Sequence, residues 1–202
     1  MKDENLLILN NENIKQEERK ALKMWTSPRE YYKEIKKVAF NKYKKENYKV
    51  NNIYEEYFNN LENLFKNYQD NTIDLKEIYR VDIIDNTFNS LITDKELFEK
   101  FCSLYTIGKE FQFEDIICSF SAHLNCAKEA SKNSKKYKGI NTPQVIYILE
   151  KRYSKYLYIE EFSEVINEEE VLTINQGIFQ IKNIQIKENN TVEIYIDEIL
   201  KD

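Results

Sequence analysis

The sequence predicts an α+β fold, in which an N-terminal helical layer packs on a mostly antiparallel β-sandwich core. Apolar residues recur at helical spacing up to about residue 68. From about residue 76, β-branched and aromatic residues gather in short segments that alternate apolar with polar positions. The chain has 202 residues and shows no repeat and no linker-like stretch. We therefore predict a single domain over residues 1–202, with residues 1–12 frayed.

Three helices are predicted in the N-terminal part. The first follows Ile14, and the third runs from Asn52 to Tyr68 with an aromatic stripe typical of a helix–helix core. The second is predicted to start at a capping box, Ser27-Pro28-Arg29-Glu30, with Pro28 at the first helical position. The buried positions expected on the first two helices are Ala21, Leu22, Trp25, Tyr31, Ile35, Val38 and Ala39.

The remainder of the chain predicts strands with two helices among them. A turn at residues 69–72 precedes the first strand, and Gly108-Lys109 opens another turn. A change of phase between Ile181 and Ile184 predicts a β-bulge near Asn183, and Asn189-Asn190 predicts the last hairpin turn. The predicted strands cover residues 76–84, 115–121, 145–150, 156–159, 171–172, 179–186 and 192–196, and the predicted helices cover 95–105 and 122–132.

Composition argues against several classes of function. Thirty basic and 35 acidic residues give a net charge of −5, so no global field draws the chain to nucleic acid. Cys102, Cys118 and Cys126 show no CxxC spacing, which argues against a disulfide framework or a zinc site. The single histidine, His123, argues against histidine-based catalysis. No apolar stretch resembles a signal peptide or a membrane span, so we expect the cytoplasm of the producing or target cell and no membrane partner.

An acidic run, Glu168-Glu169-Glu170, leads directly into the apolar Val171-Leu172. Adjacent carboxylates repel one another, so their position at a strand entrance asks for an explanation. One interpretation is a solvated acidic loop. The other is a Glu-x-Glu pair, because alternate side chains of an extended segment point the same way and Glu168 and Glu170 would then face one substrate.

Three motifs follow one another in a fixed order: Tyr79-Arg80 on the first predicted strand, Ser119-Phe120-Ser121 on a later strand, and Glu168-Glu169-Glu170. Each is weak alone, but the order is much more specific. Together they resemble the Arg-Ser-Glu class of mono-ADP-ribosyltransferases, which includes clostridial actin-modifying and Rho-modifying toxins and phage enzymes. This resemblance implies the α+β fold of that class.

The resemblance covers about residues 12–198. Phe120 replaces the usual Thr of Ser-Thr-Ser, and Val165 stands where toxin members often carry an aromatic residue that touches the protein target. These departures leave the identity of the acceptor open. The other segments similar to the family are Glu17-Glu18, Ala21-Leu22, Trp25-Thr26, Tyr32 to Ile35, Gly108 to Phe111 and Tyr158-Ile159.

The resemblance implies a reaction in which ADP-ribose passes from NAD+, as co-substrate, to a nucleophile, with nicotinamide leaving and no metal taking part. Glu170 would stabilise the oxocarbenium-like state at the nicotinamide ribose. Ser119 would hydrogen-bond Glu170 or the ribose and fix the rotamer of Glu170, and Glu168 would orient or deprotonate the acceptor. These three residues are the predicted catalytic set.

The same resemblance implies the residues that bind NAD+. Arg80 would bind a pyrophosphate oxygen, a role suited to a planar cation, and Tyr79 is expected chiefly to pack. Lysines of the basic loop at residues 132–139 would reach the phosphates, although a solvated loop is the simpler interpretation. The predicted NAD-binding residues are Arg80, Tyr79, Ser119, Ser121, Lys135 and Lys136.

We interpret the chain as a bacterial toxin or phage effector that modifies a host or target-cell protein at arginine, because Glu168 is a carboxylate as in the arginine-modifying members. Three alternatives stay open: a nucleic-acid acceptor, water as acceptor in an NAD glycohydrolase, and a catalytically inactive binding inhibitor. An antitoxin or immunity protein is a further expected partner.

Overall fold

The computed structural model describes residues 6–9, 11–68, 75–85, 92–165, 167–174 and 177–200. The turn predicted at residues 69–72 lies outside this range. Within it, none of the helices combines the length and the apolar character needed to cross a bilayer. The helices are α1 Gln16–Thr26, α2 Tyr32–Lys44, α3 Asn52–Asn67, α4 Asp94–Ser103 and α5 Leu124–Lys132. The strands are β1 Leu6–Ile8, β2 Ile78–Ile83, β3 Glu110–Phe111, β4 Ile117–Ser121, β5 Gln144–Lys151, β6 Tyr156–Tyr158, β7 Glu170–Ile174, β8 Ile178–Lys187 and β9 Thr191–Ile199.

The chain divides into two compact units. The first comprises the described residues of Met1–Leu75, Phe113–Phe120 and Ser154–Gln176. The second comprises those of Lys76–Gln112, Ser121–Tyr153 and Gly177–Asp202. Both contain helices and strands, and antiparallel pairing predominates, although β1–β6 and β5–β9 pair in parallel. The predicted α+β class is confirmed, whereas the single domain over residues 1–202 stays a prediction.

The first unit packs α1, α2 and α3 against strands in the order β1-β6-β7-β4. Its core is formed by the apolar faces that helical periodicity predicts, because these faces lose their contact with water when the helices pack. The aromatic stripe of α3 lies in this core, as predicted. Fully or almost fully buried members include Leu22, Trp25, Ile35, Phe58, Leu61, Leu64, Leu157 and Leu172.

The second unit contains strands in the order β2-β5-β9-β8-β3, with α4 and α5. The apolar run predicted as a central strand is β5, which pairs with β2 on one side and with β9 on the other. The predicted bulge is confirmed by the register shift between Ile181 and Asn183. Asn189 and Asn190 both have positive φ, of 57° and 53°, as a tight turn between two twisted strands requires.

Two predictions about the N-terminal part are wrong. Residues 6–8 are not frayed, since β1 pairs in parallel with β6 and Leu6 is fully buried. Pairing in the sheet removes the apolar side chains of this segment from water, which stabilises the folded state. The predicted capping box does not start α2, which begins at Tyr32. Ser27 instead ends α1, and Glu30 takes a left-handed φ of 59° and closes a turn by donating its N–H to the Ser27 carbonyl at 3.1 Å.

Candidate active site

The carboxylate of Glu170 is the centre of a hydrogen-bonded cluster in the first unit. Glu170 is the first residue of β7, and its side chain is buried, with only 7% of the residue exposed. Its carbonyl oxygen accepts the N–H of Ile159 at 2.9 Å, which fixes the strand entrance against the end of β6. Ser119, on β4, donates its hydroxyl to Oε1 of Glu170 at 2.5 Å. The structure therefore brings together two of the three predicted catalytic residues.

Trp25 contributes a second donor to the same oxygen. Its indole Nε1–H lies 3.0 Å from Oε1 of Glu170, and Trp25 is only 5% exposed. The other oxygen, Oε2, makes no hydrogen bond to the part of the chain that the structure describes. The sequence analysis placed Trp25 in the core and missed this contact. The available signal was that it is the single tryptophan of the chain.

Lys36 supplies a positive charge beside this cluster. Its Nζ lies 3.0 Å from Oδ2 of Asp115 and stands over the rings of Trp25 and Tyr32, at 5.9 and 5.7 Å from their centroids. Burial raises the pKa of Glu170, and hydrogen bonds from Ser119 and Trp25 and the charge of Lys36 oppose that rise. Two hydrogen-bond donors and one cation thus partly offset the free-energy cost of burying this negative charge.

The loop that precedes β7 is held by the side chain of Glu160. Asn167 and Glu169 both have positive φ, of 68° and 51°, which is unfavourable for residues that carry a Cβ. The Glu160 carboxylate accepts the N–H of Asn167 at 3.0 Å and that of Glu169 at 2.7 Å. The hydroxyl of Tyr158 donates to the Glu169 side chain. Sequence reasoning did not find Glu160, because nothing in a glutamate-rich segment marks one residue as the clamp.

Glu168 is the second member of the Glu-x-Glu pair that the sequence predicts with Glu170. It is partly buried, and its pKa is raised to about 7, first by burial and then by the charges of Glu170 and Glu160. The prediction of the pair assumed an extended segment, but the left-handed φ of Glu169 shows that the loop is not extended. Near neutral pH Glu168 exchanges a proton readily, which is the property that a general base needs.

Thr26 ties the end of α1 to the acidic segment. Its Oγ1 lies within hydrogen-bond distance of the carbonyls of Leu22, at 3.2 Å, and Phe162, at 3.3 Å. It also accepts the N–H of Glu164 at 3.1 Å. Because Thr26 follows Trp25 directly, this network fixes the turn of helix that carries the indole.

Arg80 and its neighbours lie in the second unit. Arg80 is mostly buried, and its Nε donates to both carboxylate oxygens of Asp82, at 3.1 and 2.9 Å. Tyr79 pairs with Ser121 in the register of β2 and β4, and its hydroxyl donates to Glu77 at 2.6 Å. Ser121 is buried, with 5% exposed.

The predicted basic loop is a loop in the structure, between α5 and β5. Lys135 and Lys136 are exposed, and Lys136 forms an ion pair of 3.1 Å with Asp85. Both residues of this pair line a pocket of about 250 Å³. In the described ranges, no group of three or more His, Cys, Asp or Glu side chains is arranged to hold a metal ion.

No protein-family model matches the sequence, and no curated protein matches it. Solved structures do match the fold. The C3 exoenzyme of Clostridium limosum is 18% identical, with 93% of this chain and 87% of that chain covered and a TM-score of 0.63. The Vis toxin of Vibrio splendidus, an ADP-ribosyltransferase solved in complex with agmatine, is 14% identical, with 95% of this chain and 78% of that chain covered and a TM-score of 0.63. C3stau2 from S. aureus, solved with NAD, is 13% identical, with 94% of this chain and 89% of that chain covered and a TM-score of 0.59.

These structures are matched over more than nine-tenths of the present chain and most of their own length. Identities below one-fifth bear on the fold and leave the chemistry to be argued from the site. The resemblance that three ordered sequence motifs predicted is confirmed at the level of structure: the chain has the fold of the ADP-ribosyltransferase toxins.

Proposed function

We propose that the protein is an NAD-dependent mono-ADP-ribosyltransferase that modifies a target protein at arginine. The observation that carries the proposal is the Glu170 carboxylate, whose Oε1 is held by Ser119 and Trp25 while Oε2 has no partner among the described residues. Oε2 is not fully buried, so it is open to solvent and can meet a ligand while Oε1 is held in place. The fold shared with ADP-ribosyltransferase toxins supports the same conclusion.

The proposed reaction breaks the bond between C1′ of the ribose and the nicotinamide nitrogen of NAD+. Nicotinamide leaves with the bonding electron pair, and positive charge develops on the ribose. Oε2 of Glu170 accepts a hydrogen bond from the ribose 2′-hydroxyl and stabilises that charge, as carboxylates do in glycoside cleavage. The chain's own contribution is therefore to hold one negative oxygen at a fixed place in a buried site.

The proposed acceptor is an arginine guanidinium, and Glu168 is the proposed base. The guanidinium nitrogen forms the new bond to C1′ and gives up one proton, which Glu168 takes. A carboxylate with a pKa of about 7 accepts that proton near neutral pH better than an ordinary exposed glutamate, whose pKa is 4.5. One structure of the same fold is a complex with agmatine, itself a guanidine, which supports this class of acceptor.

The NAD-binding roles of Arg80, Tyr79, Ser121, Lys135 and Lys136 stay predictions. Arg80 fits a phosphate-binding role in its chemistry, because a guanidinium is a planar, permanently charged cation whose N–H donors match phosphate oxygens. A structure of this fold has been solved with NAD, which supports NAD+ as the co-substrate.

The test is incubation of the pure protein with NAD+ labelled on the adenylate and a host-cell lysate. Wild type is compared with Glu170→Gln, which keeps side-chain volume and removes the negative oxygen, and with Glu161→Gln, an exposed glutamate two residues into the same acidic segment. We expect a labelled band that protease destroys, that Glu161→Gln retains and that Glu170→Gln loses. Treatment with hydroxylamine, which cleaves ADP-ribosyl-arginine, should release the label.

Other outcomes would reject the proposal in distinguishable ways. Label that nuclease removes would move the acceptor to nucleic acid. Nicotinamide release without macromolecular label, in several lysates, would indicate an NAD glycohydrolase. If wild type consumes no NAD+ in any lysate, and Glu170→Gln affects target cells as wild type does, the protein is the catalytically inactive binding inhibitor.

A further inference from the structure

Glu170 is held by two elements of the first unit at a single atom. Ser119 approaches Oε1 from β4 at 2.5 Å, and Trp25 approaches the same oxygen from α1 at 3.0 Å. One donor leaves a carboxylate able to swing about that contact, whereas two donors from separate elements fix its plane. The fixed plane determines where Oε2 lies.

The indole is itself held firmly. Trp25 is 5% exposed, and its ring meets the ring of Tyr32 edge-on, with centroids 5.9 Å apart. The Nζ of Lys36 stands over the indole and is fixed at 3.0 Å by Asp115. The ring quadrupole attracts a cation that lies over the indole face, so Lys36 helps to hold the indole in place. The end of α1 is tied to the acidic segment by Thr26.

We propose that Trp25 is a positioning residue for Glu170: its indole N–H and the Ser119 hydroxyl together hold Oε1, and this leaves Oε2 directed to the ribose of NAD+. The inference rests on the proposed function, since it is the transfer reaction that uses Oε2. A role confined to the hydrophobic core would need the bulk of the indole but not its N–H.

A first experiment observes the hydrogen bond without any activity. The chain has one tryptophan, so the ¹⁵N-labelled protein gives one indole N–H resonance. We expect this resonance to shift as pH carries Glu170 through its titration, and to show no such shift in Glu170→Gln. The other charged groups that act on this carboxylate are Lys36 and Glu160, and Glu168 titrates nearby. Glu168→Gln should therefore retain the shift. An indole resonance that is the same in wild type and Glu170→Gln at every pH would overturn the proposal.

A second experiment measures the consequence for turnover. Trp25→Phe keeps an aromatic ring and removes the N–H donor, and Leu22→Val trims the same buried face of α1 without touching any donor. For Trp25→Phe we expect kcat for NAD+ consumption to fall about tenfold or more, the usual worth of one hydrogen bond to a charged group, with KM for NAD+ little changed. The acidic limb of its pH profile should move to higher pH, because the ionised carboxylate loses a donor. Leu22→Val should lower stability and leave that limb in place.

The two possible failures give different results. Wild-type consumption of NAD+ together with an unaltered kcat and pH profile in Trp25→Phe would reject the positioning role and leave the proposed function standing. An equal movement of the acidic limb in Leu22→Val would assign the effect to packing and also reject the role. Absence of NAD+ consumption by wild type would reject the proposed function, and the positioning role with it.

Discussion

Glu168→Gln should make the protein more stable at alkaline pH. The folded state raises the pKa of Glu168 from 4.5 to about 7, chiefly by burial. Because the folded pKa lies above the unfolded value, the folded state loses stability as pH rises from 4.5 through 7, and that loss is complete above pH 8. Glutamine has nearly the same volume and does not ionise, so it avoids the loss.

The size of the effect follows from the shift. One pKa unit corresponds to about 1.4 kcal/mol, so the full shift would be worth roughly 3 kcal/mol. Glu168 is partly exposed, and solvent screening reduces that figure to about 1–2 kcal/mol. We expect Glu168→Gln to raise the free energy of unfolding by this amount at pH 8 and to leave it nearly unchanged at pH 4.

Urea unfolding of wild type and Glu168→Gln at pH 4, 6 and 8 measures the difference directly. The matched control is Glu161→Gln, which removes an exposed glutamate from the same segment and should change the free energy of unfolding little at any of the three pH values. Equal stability of Glu168→Gln and wild type at pH 8, or a gain of the same size at pH 4, would refute the reasoning. If the proposed function holds, the stabilised variant should also lose transfer to arginine, since it lacks the base.

Three further predictions concern other parts of the first unit. Glu62 is buried on α3 and paired with Lys42, and its pKa is lowered to about 2. Glu62→Gln should therefore lower the free energy of unfolding at pH 7 by about 2–3 kcal/mol. Urea unfolding should show this loss shrinking as pH falls from 4.5 towards 2. Lys36→Met should raise the pKa of Glu170 further, because it removes the cation that opposes the rise, and should move the acidic limb of NAD+ consumption to higher pH. Leu6→Ala should lower the free energy of unfolding by about 2–5 kcal/mol if β1 belongs to the core, and a thermal melt unchanged from wild type would contradict that placement.

Local pattern in the sequence was enough to locate most elements. Helical periodicity gave α1 and α3, the out-of-phase apolar residues gave the bulge at residues 181–183, and Asn189-Asn190 gave the last turn. Each of these features depends on residues close together in the chain, and their side-chain pattern is set by the geometry of one helix or one strand pair. The start of α2 was mispredicted because a capping sequence also suits a tight turn.

The candidate site was only partly accessible from sequence. Ser119 and Glu170 were singled out by ordered motifs, although 51 positions separate them in the chain. Glu160 was hidden, because its function as a clamp depends on the left-handed backbone at Asn167 and Glu169. No pattern of hydrophobicity encodes which of several glutamates accepts a backbone N–H.

What the sequence determined by itself was the α+β class, the position of most helices and strands after residue 13 and the carboxylate at the entrance of β7. What only the tertiary structure decided was the surroundings of that carboxylate. The indole N–H of Trp25 reaches Glu170 across 145 positions of the chain, and Lys36 stands over the same indole. Such contacts arise because α1, α2 and β7 bury their apolar faces in one core. The packing of that core decides which polar groups at the edges of these faces lie next to one another, and residues close together in the chain do not encode that arrangement.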